Sequence, residues 1–243
     1  MLRSVRDIIG YRANATDGLI GTAKDFYFDD ESWTIRYMVL DTGHWLPGRK
    51  VLIAPESLGE PQWQKEALPV SLTREAIEHG PKIDEAQPVS RRKQAQLAEH
   101  YNWTPYWGGY YGPSMAWAKA AVAEAEPNQD ENVDEHLRSV REICHYRIHA
   151  LDGEIGHVQD FIVQTDAWVL RYLVVDTRVW IPGKKVLISP AWTRKVDWAT
   201  AEVYVDLDRE TIRHGPKFDY HMPVNREYEA RMYDYYGRPT YWD

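Results

Sequence analysis

The stretch "DTGHWLPGRKVLIAP" occupies residues 41–55 and recurs 135 positions later as "DTRVWIPGKKVLISP", residues 176–190. The similarity extends outward from it: residues 2–55 align with residues 137–190 without a gap, and 29 of these 54 positions are identical. A long match at one fixed spacing indicates that a single structural unit is written twice.

The same spacing holds to the end of each copy, where Tyr106-Trp107 aligns with Tyr241-Trp242. Between the copies, the composition changes to a Gly/Tyr-rich head, an alanine-rich middle and an acidic tail. We therefore predict three segments: a first repeat at residues 1–107, a linker at 108–135 and a second repeat at 136–243.

Each repeat has the pattern of strands separated by tight turns, followed by short helices. Asp17-Gly18 and Asp152-Gly153 lie between strand-like runs and are typical of tight hairpins, because glycine accepts a positive φ. The next run, "WTIRYMVLD" in the first repeat, is apolar at nearly every position, which suits a strand covered on both faces. The sequence predicts a mainly β protein with two small antiparallel barrels, each followed by short helices near residues 73–80 and 90–101 or 208–215 and 225–236.

Gly43 and Gly48-Arg49-Lys50 have almost the spacing of a phosphate-binding loop. Such a loop needs a Ser or Thr after the lysine and a following helix, whereas a strand-forming run follows here. The second repeat also replaces the first glycine with Arg178. The pattern instead indicates turns of type II, formed by Pro47-Gly48 and Pro182-Gly183.

The aromatic and basic residues beside these turns allow two interpretations. The tryptophans could cover the mouth of a barrel while the basic side chains are solvated. Alternatively, the turns form exposed tips that contact a partner, since Trp and Arg dominate interface hot spots. The residues concerned are Trp45, Arg49, Lys50, Trp180, Lys184 and Lys185.

The aromatic tails that end both repeats are a second candidate interaction surface. Their residues are Tyr106, Trp107, Tyr241 and Trp242. Each tail could lie back along its own barrel. Alternatively, it is a strap that docks on the other copy, on another chain or on a membrane surface.

Two further sets of residues resemble catalytic groups but have a structural interpretation. His79-Gly80 and His214-Gly215 are each followed by Pro, which is typical of a helix end with a left-handed glycine. Mid-strand aspartates, Asp25 and Asp160, are expected to pair with arginines of the neighbouring strand, Arg36 and Arg171. No spacing marks a catalytic triad or a metal site, so we expect no catalytic residue, no metal and no cofactor.

The net charge of −8 is concentrated in the linker, which carries −5, whereas the repeats carry −2 and −1. This balance disfavours a nucleic acid as the main partner. Cys144 is the only cysteine, and neither a secretory signal nor an apolar run of membrane-spanning length is present. We expect a cytoplasmic protein, with a peripheral position at the inner membrane as the alternative.

The motif residues of both repeats resemble the PRC-barrel family, which is named for the cytoplasmic domain of the photosynthetic reaction centre H subunit. The resemblance covers about 55 residues per repeat. Its motif is Asp-Gly-x-x-Gly, Asp-Phe, Tyr-x-Val and Val-Leu-Ile-x-Pro. Here the motif comprises Asp17-Gly18, Gly21, Asp25-Phe26, Tyr37, Val39 and Val51–Pro55, and in the second repeat Asp152-Gly153, Gly156, Asp160-Phe161, Tyr172, Val174 and Val186–Pro190.

This resemblance implies a small antiparallel barrel that serves as a non-catalytic interaction module. We therefore expect an adaptor that binds a protein partner or a second copy of itself. The first alternative is a peripheral membrane-associated subunit near a photosynthetic or other energy-converting complex. An accessory factor in RNA processing or ribosome assembly is a further alternative, and an enzyme is the last.

Overall fold

The computed structural model describes residues 1–84, 88–107, 134–177 and 184–242. The chain is mainly β, with 39% of residues in strands and 22% in helices, which confirms the predicted fold class at this level. Most of the predicted linker, together with Trp180, Pro182 and Gly183, lies outside the described residues.

The strands are numbered in chain order. Those before the linker are β1 (Leu2–Ser4), β2 (Arg12–Ala15), β3 (Gly18–Asp29), β4 (Thr34–Asp41), β5 (Arg49–Ile53), β6 (Ala67–Pro69) and β7 (Ile83–Asp84). Those after it are β8 (Leu137–Ser139), β9 (Arg147–Ala150), β10 (Gly153–Gln164), β11 (Val169–Asp176), β12 (Lys185–Ile188), β13 (Thr193–Asp197) and β14 (Glu202–Val205).

Short helices follow the strands in both repeats, as the sequence predicts. The α-helices are α1 (Arg74–Glu78), α2 (Arg91–Tyr101), α3 (Val140–Ile143), α4 (Arg209–His214) and α5 (Arg226–Tyr236). All five of these described helices begin after a residue whose side-chain oxygen accepts a backbone N–H of the first turn, which stabilises a helix by about 1 kcal/mol. These caps are Thr73 for α1, Ser90 for α2, Ser139 for α3, Asp208 for α4 and Asn225 for α5.

The chain divides into two compact units. Unit 1 consists of residues 1–8, 32–35 and 139–243, and unit 2 consists of residues 9–31 and 36–138. Each unit is therefore built mainly from one sequence repeat. Unit 1, however, also contains two segments of the first repeat.

Both units arrange their strands in the same order. The order is β6-β2-β3-β4-β5-β7 in unit 2 and β14-β9-β10-β11-β12 in unit 1, where β13 extends the edge beside β14. Among the described residues, these pairings do not close into a ring. The expectation of a purely antiparallel sheet is wrong, since β2 pairs in parallel with β6 and β9 with β14. After β5 in unit 2 and after β12 in unit 1, the chain crosses to the opposite edge of the sheet, and a parallel pair requires such a crossover.

The predicted hairpins are present. Ala15 pairs with Gly18 and Ala150 with Gly153, so each loop has two residues and ends at a glycine with φ near +147°. The loop aspartate has an additional partner. Asp17 Oδ1 accepts the backbone N–H of Arg74 at 2.8 Å, and Asp152 Oδ1 accepts that of Arg209 at the same distance. Each hairpin loop thus also stabilises the start of a short helix.

The long strands β3 and β10 depend on a glycine near their start. Gly21 and Gly156 both have φ of +143°. A Cβ atom at Gly156 would lie 2.0 Å from the main-chain oxygen of Asp176, and one at Gly21 would lie 2.2 Å from that of Asp41. Since heavy atoms cannot approach so closely, only glycine fits at these motif positions.

The core of unit 2 lies between the sheet and helix α2. The inner faces of β4 and β5 are covered by the apolar side of α2 and by the aromatic residue that follows it. Burial of each large apolar side chain contributes about 1.5–3 kcal/mol relative to its exposed state. The cluster consists of Tyr37, Val39, Leu52, Ala54, Ile83, Val89, Leu97, Ala98 and Trp103.

The glycines that end α1 and α4 have a different role from the predicted one. Neither Gly80 nor Gly215 has a positive φ, so the expected left-handed cap is wrong. A Cβ atom at either position would instead lie 2.3 Å from a tyrosine hydroxyl oxygen, that of Tyr101 or Tyr236. These positions are glycine because the last turn of the next helix packs directly on them.

We predict that Gly156→Ala destabilises the protein by at least about 3 kcal/mol, because a methyl group would overlap the Asp176 carbonyl. Gly237→Ala is the matched control. Gly237 also has a positive φ, of +61°, but a Cβ atom there would meet nothing within 4 Å. We expect this control to cost about 1 kcal/mol. Urea unfolding of both variants measures the difference, and equal costs would contradict the steric explanation.

Candidate functional site

The aromatic tail of unit 2 lies back against its own sheet and helix α2. The Tyr106 hydroxyl lies 2.9 Å from Gln94 Oε1, and the Tyr37 hydroxyl lies 3.3 Å from the same oxygen. Gln94 is fully buried and Tyr37 is 4% exposed. Burial raises the pKa of both tyrosine hydroxyls, so both stay protonated and can donate hydrogen bonds.

A carboxylate from the end of the linker completes this cluster. Asp134 Oδ2 accepts from Gln94 Nε2 at 2.7 Å and lies 3.0 Å from the Tyr106 hydroxyl. Its other oxygen, Oδ1, pairs with Arg91 Nη2 at 2.9 Å. The Asp134 side chain is only 1% exposed, so its charge is neutralised by Arg91 and by hydrogen bonds rather than by water.

Unit 1 contains the corresponding cluster at positions 135 residues later. Glu229 Oε1 accepts from the Tyr172 hydroxyl at 2.6 Å and from the Tyr241 hydroxyl at 2.8 Å. Its other oxygen pairs with Arg226 at 3.3 Å. Burial raises the pKa of both tyrosines, that of Tyr241 to about 12. Each unit therefore has a buried tyrosine, a tail tyrosine and one buried negative charge.

The two clusters place this charge on different parts of the chain. In unit 1 it belongs to Glu229 of helix α5. In unit 2 the equivalent residue of α2 is the neutral Gln94, and Asp134 supplies the charge. A buried carboxylate with several hydrogen-bond donors is stable, whereas two carboxylates in such contact are not. One charge per cluster is therefore the arrangement that both units keep.

Arginines hold the outer face of each tail. In unit 2, Arg36 lies 4.0 Å from the centre of the Tyr106 ring, and Arg91 lies 4.8 Å from that of Trp107. In unit 1, Arg171 lies 4.1 Å from Tyr241 and Arg226 lies 3.9 Å from Trp242, at equivalent positions. Cation–π contacts of this kind contribute about 0.5–2 kcal/mol each. We call these two surfaces the tail clusters: Arg36, Arg91, Tyr106 and Trp107 in unit 2, and Arg171, Arg226, Tyr241 and Trp242 in unit 1.

The tail clusters remain partly accessible. Tyr106, Trp107, Tyr241 and Trp242 are all half-buried, with their hydroxyl or ring faces held from inside. Each cluster thus presents aromatic edges and arginine groups in a fixed arrangement. These residue types contribute most to binding energy at protein interfaces.

The turn before β5 has the predicted geometry. Pro47 and Gly48 are its central residues, Gly48 has φ of +70°, and the Arg49 N–H donates to the Leu46 carbonyl at 3.3 Å. These features are those of a type II turn. Trp45 is half-buried, with Arg74 4.8 Å from its ring centre.

The first basic residue after each turn binds the end of the short helix. Arg49 donates to the carbonyls of Glu78 at 2.7 Å and Gly80 at 2.9 Å. Lys184 donates in the same way to the carbonyls of Arg213 and Gly215. A cation at a helix C-terminus satisfies carbonyls that lack a partner within the helix. These two residues of the predicted interaction surface therefore have intramolecular partners.

The second basic residue after each turn lies over an aromatic ring. Lys50 is 8% exposed, and its Nζ is 5.5 Å from the centre of the Tyr27 ring. Lys185 Nζ is 5.7 Å from that of Tyr220. In unit 2, the turn and the tail thus contact different side chains, and the structure does not combine them into one cluster.

The histidines at the helix ends have local partners. His79 Nδ1 lies 2.8 Å from the Glu75 carbonyl, and His214 Nδ1 lies 3.2 Å from the Glu210 carbonyl. Both bonds span one helical turn, as expected for residues that end a helix. The interpretation of these histidines as structural residues agrees with these contacts.

The buried Asp160 does not have the partner that we predicted. Arg171 instead donates to Gln164 at 2.7 Å, so the expected pair between Asp160 and Arg171 is wrong. Asp160 accepts from the Ser4 hydroxyl and from the backbone N–H groups of Arg6 and Phe161. Neighbouring strands of a sheet bring Cα atoms together, but side chains on opposite faces cannot meet.

Among residues 1–84, 88–107, 134–177 and 184–242, no three His, Cys, Asp or Glu side chains are grouped so that they could hold a metal ion. Within the same ranges, no helix combines the length and the apolar character that a membrane-spanning helix requires.

No protein-family model matches this chain, and no curated protein matches it.

Sequence reasoning identified the tail aromatics but missed the residues that hold them. The sequence predicts that Arg36 and Arg171 pair with Asp25 and Asp160. It predicts no role for Gln94, Glu229 or Asp134. For Gln94 and Glu229 the sequence does contain a signal, because these two residues align with each other in helices that are otherwise polar. Asp134 carried no signal of its own, since it is one of six acidic residues in the linker.

We predict that Gln94→Glu destabilises the protein by about 2–4 kcal/mol at pH 7. The new carboxylate would contact Asp134 Oδ2, which now lies 2.7 Å from Gln94 Nε2, in a buried position. Adding Asp134→Asn should recover most of the loss, because this double variant reproduces the charge pattern around Glu229. Urea unfolding of the single and double variants tests this prediction. Independent, additive costs would show that the two positions do not share one charge.

We also predict a pH dependence that comes from Asp160. Burial raises the pKa of this carboxyl from the ordinary value of 3.8 to about 6, although hydrogen bonds from Ser4, Phe161 and Arg6 oppose the shift. The folded state therefore binds the proton more tightly than the unfolded state. This contribution to stability is fully present below pH 4 and is lost as the pH rises through 6.

The Asp160→Asn variant isolates this effect. An amide oxygen can still accept from Phe161 and Arg6, and the amide N–H can donate to Ser4. The unfolding free energy of the wild type minus that of the variant should decrease by about 1–3 kcal/mol between pH 4 and pH 7. A difference that stays constant over this range would contradict the assignment.

Proposed function

We propose that the chain is a non-catalytic interaction protein built of two PRC-barrel-type modules, and that it binds a protein partner through its tail clusters. The single observation that carries this proposal is the equivalence of the two clusters. Each unit holds a Tyr-Trp pair half-buried against two arginines, at positions 135 residues apart.

The module assignment is supported by the motif residues and their backbone. Gly21 and Gly156 occupy the same motif position with the same φ and the same close approach to a carbonyl. The strand order is also the same in both units. A shared fold does not determine function, so the proposed function rests on the tail clusters.

Two equivalent surfaces on one chain favour a partner with two equivalent sites. Linking two weak contacts makes the second contact intramolecular and can raise the combined affinity by about 10²–10⁴-fold. A symmetric complex or a repeated motif in the partner would provide such sites. A homo-oligomer is the case in which the partner is a second copy of this chain.

We predict that Trp107→Ala and Trp242→Ala each weaken partner binding by about tenfold, and that the double variant abolishes it. Partners captured from extracts of the source organism by the wild-type protein would first be identified by mass spectrometry. Binding of the purified partner to each variant would then be measured by calorimetry. The matched control is Trp63→Ala with Trp198→Ala, because these equivalent tryptophans are also half-buried but lie against Tyr11 and Tyr146.

Two results would contradict the proposal. One is a captured partner that binds the tail and control variants equally. The other is reproducible turnover of a metabolite that a single substitution abolishes. Flotation with lipid vesicles separates the membrane alternative, since the proposed adaptor should stay with the unbound fraction.

A further inference from the structure

Unit 1 is completed by two segments that belong to the first repeat. Strand β1 pairs antiparallel with β10, with Leu2 opposite Gln164, Arg3 opposite Val163 and Ser4 opposite Ile162. The pairing continues beyond the strand, since the Val5 N–H donates to the Phe161 carbonyl at 2.9 Å. We call residues 1–8 the arm and the surface of β10 that holds it the arm site.

The arm is held by burial as well as by the backbone. Val5 is 1% exposed and Ile8 is fully buried. The Ser4 hydroxyl and the Arg6 N–H both donate to Asp160, which is itself fully buried at the centre of the site. The arm site therefore recognises a strand with a small hydroxyl residue followed by apolar residues, through one buried acceptor and the burial of the apolar side chains.

A second segment of the first repeat binds next to it. Residues 32–35 also belong to unit 1. The Ile35 N–H donates to the Trp168 carbonyl at 2.7 Å, and the Leu170 N–H donates to the Trp33 carbonyl at 2.8 Å. Trp33 lies against Phe161, with ring centres 6.2 Å apart. Among the described residues, the second repeat thus contains an acceptor surface that two segments of the first repeat fill.

Unit 2, in turn, is completed by a strand from the second repeat. Strand β8, from the start of the second repeat, pairs with β3. Next to it, Arg138 donates to Asp30 at 3.3 Å and the Asp30 N–H donates to the His136 carbonyl at 2.9 Å. The two strands that are exchanged have the same sequence, Leu-Arg-Ser, followed in both cases by Val-Arg.

We propose that the arm site takes its strand from a second copy of this chain, so that two chains associate by exchange of their first-repeat segments. The acceptor surface and the segments that fill it belong to different repeats, which the 28 residues of 108–135 connect. Filling the surface from a second chain makes the same contacts as filling it from the same chain. The balance is then set by the protein concentration against the effective concentration of the two repeats within one chain, which is of millimolar order for modules joined by a short linker.

The test uses cysteine pairs in a Cys144→Ser background of the full chain. One chain carries Leu2→Cys and the other carries Gln164→Cys, at positions that face each other across the strand pair. The two proteins are mixed, partly unfolded, refolded at high concentration and oxidised. We expect a covalent dimer, at least tenfold more abundant than in a control that pairs Leu2→Cys with Arg194→Cys on the exposed strand β13.

Placing Leu2→Cys and Gln164→Cys in one chain shows whether these positions can form a disulfide. If this chain closes on itself but the mixed chains give no more dimer than the control at any concentration, the proposal is overturned. A second measurement needs no substitution. The wild-type chain, refolded at high and low concentration and analysed by light scattering, should yield a dimer fraction that rises with concentration. A monomer at all concentrations would also overturn the proposal.

Discussion

The structure of each unit depends on one strand of twelve residues, β3 or β10. This strand is too long for a single neighbouring strand to pair with the whole of one edge. Strand β10 pairs with β9 only over its first part, up to His157, and Gly156 marks the point where the register shifts. Beyond this point the same edge is free to pair with another strand, and β1 occupies it from Ile162 to Gln164. An uncovered edge presents unpaired N–H and carbonyl groups, so the remaining part of this edge requires a second strand. The register shift at Gly156 and the arm that covers the edge are consequences of the same constraint.

The buried charge of each tail cluster is a second constraint, and it explains why the two repeats differ where they do. In unit 1, two tyrosine hydroxyls and an arginine converge on the carboxylate of Glu229. In unit 2, the two hydroxyls meet at Gln94 Oε1, and the arginine pairs with Asp134, which also accepts from Gln94. The end of the linker thus contributes one structural residue, Asp134. Because one charge suffices, the repeats have diverged in sequence without a change in the local geometry.

Internal hydrogen bonds distinguish the side chains that only hold the fold from those that can bind a partner. The basic residues after the turns, Arg49 and Lys184, satisfy helix carbonyls and leave few donors for a partner. The tail clusters differ, since their tyrosine hydroxyls face inward while the rings stay half-buried. A surface held rigid from inside loses little side-chain entropy on binding, which favours an interaction role for the tails. The arm site is distinct from them, because its contacts are backbone pairing and buried apolar side chains.

The sequence by itself determined the repeat, the hairpins and the order of the main strands and helices, because these follow from local spacing and from residues such as Asp17-Gly18. The motif glycines were also visible, although the reason for Gly80 and Gly215, contact with Tyr101 and Tyr236, was not. Only the tertiary structure decided which repeat supplies the strand beside β10, since both repeats begin with the same sequence, Leu-Arg-Ser-Val-Arg. It also decided that Asp134, rather than another linker acid, carries the charge of the unit 2 cluster. Long-range pairing depends on which groups meet in space, and a sequence with near-identical halves leaves that choice to packing.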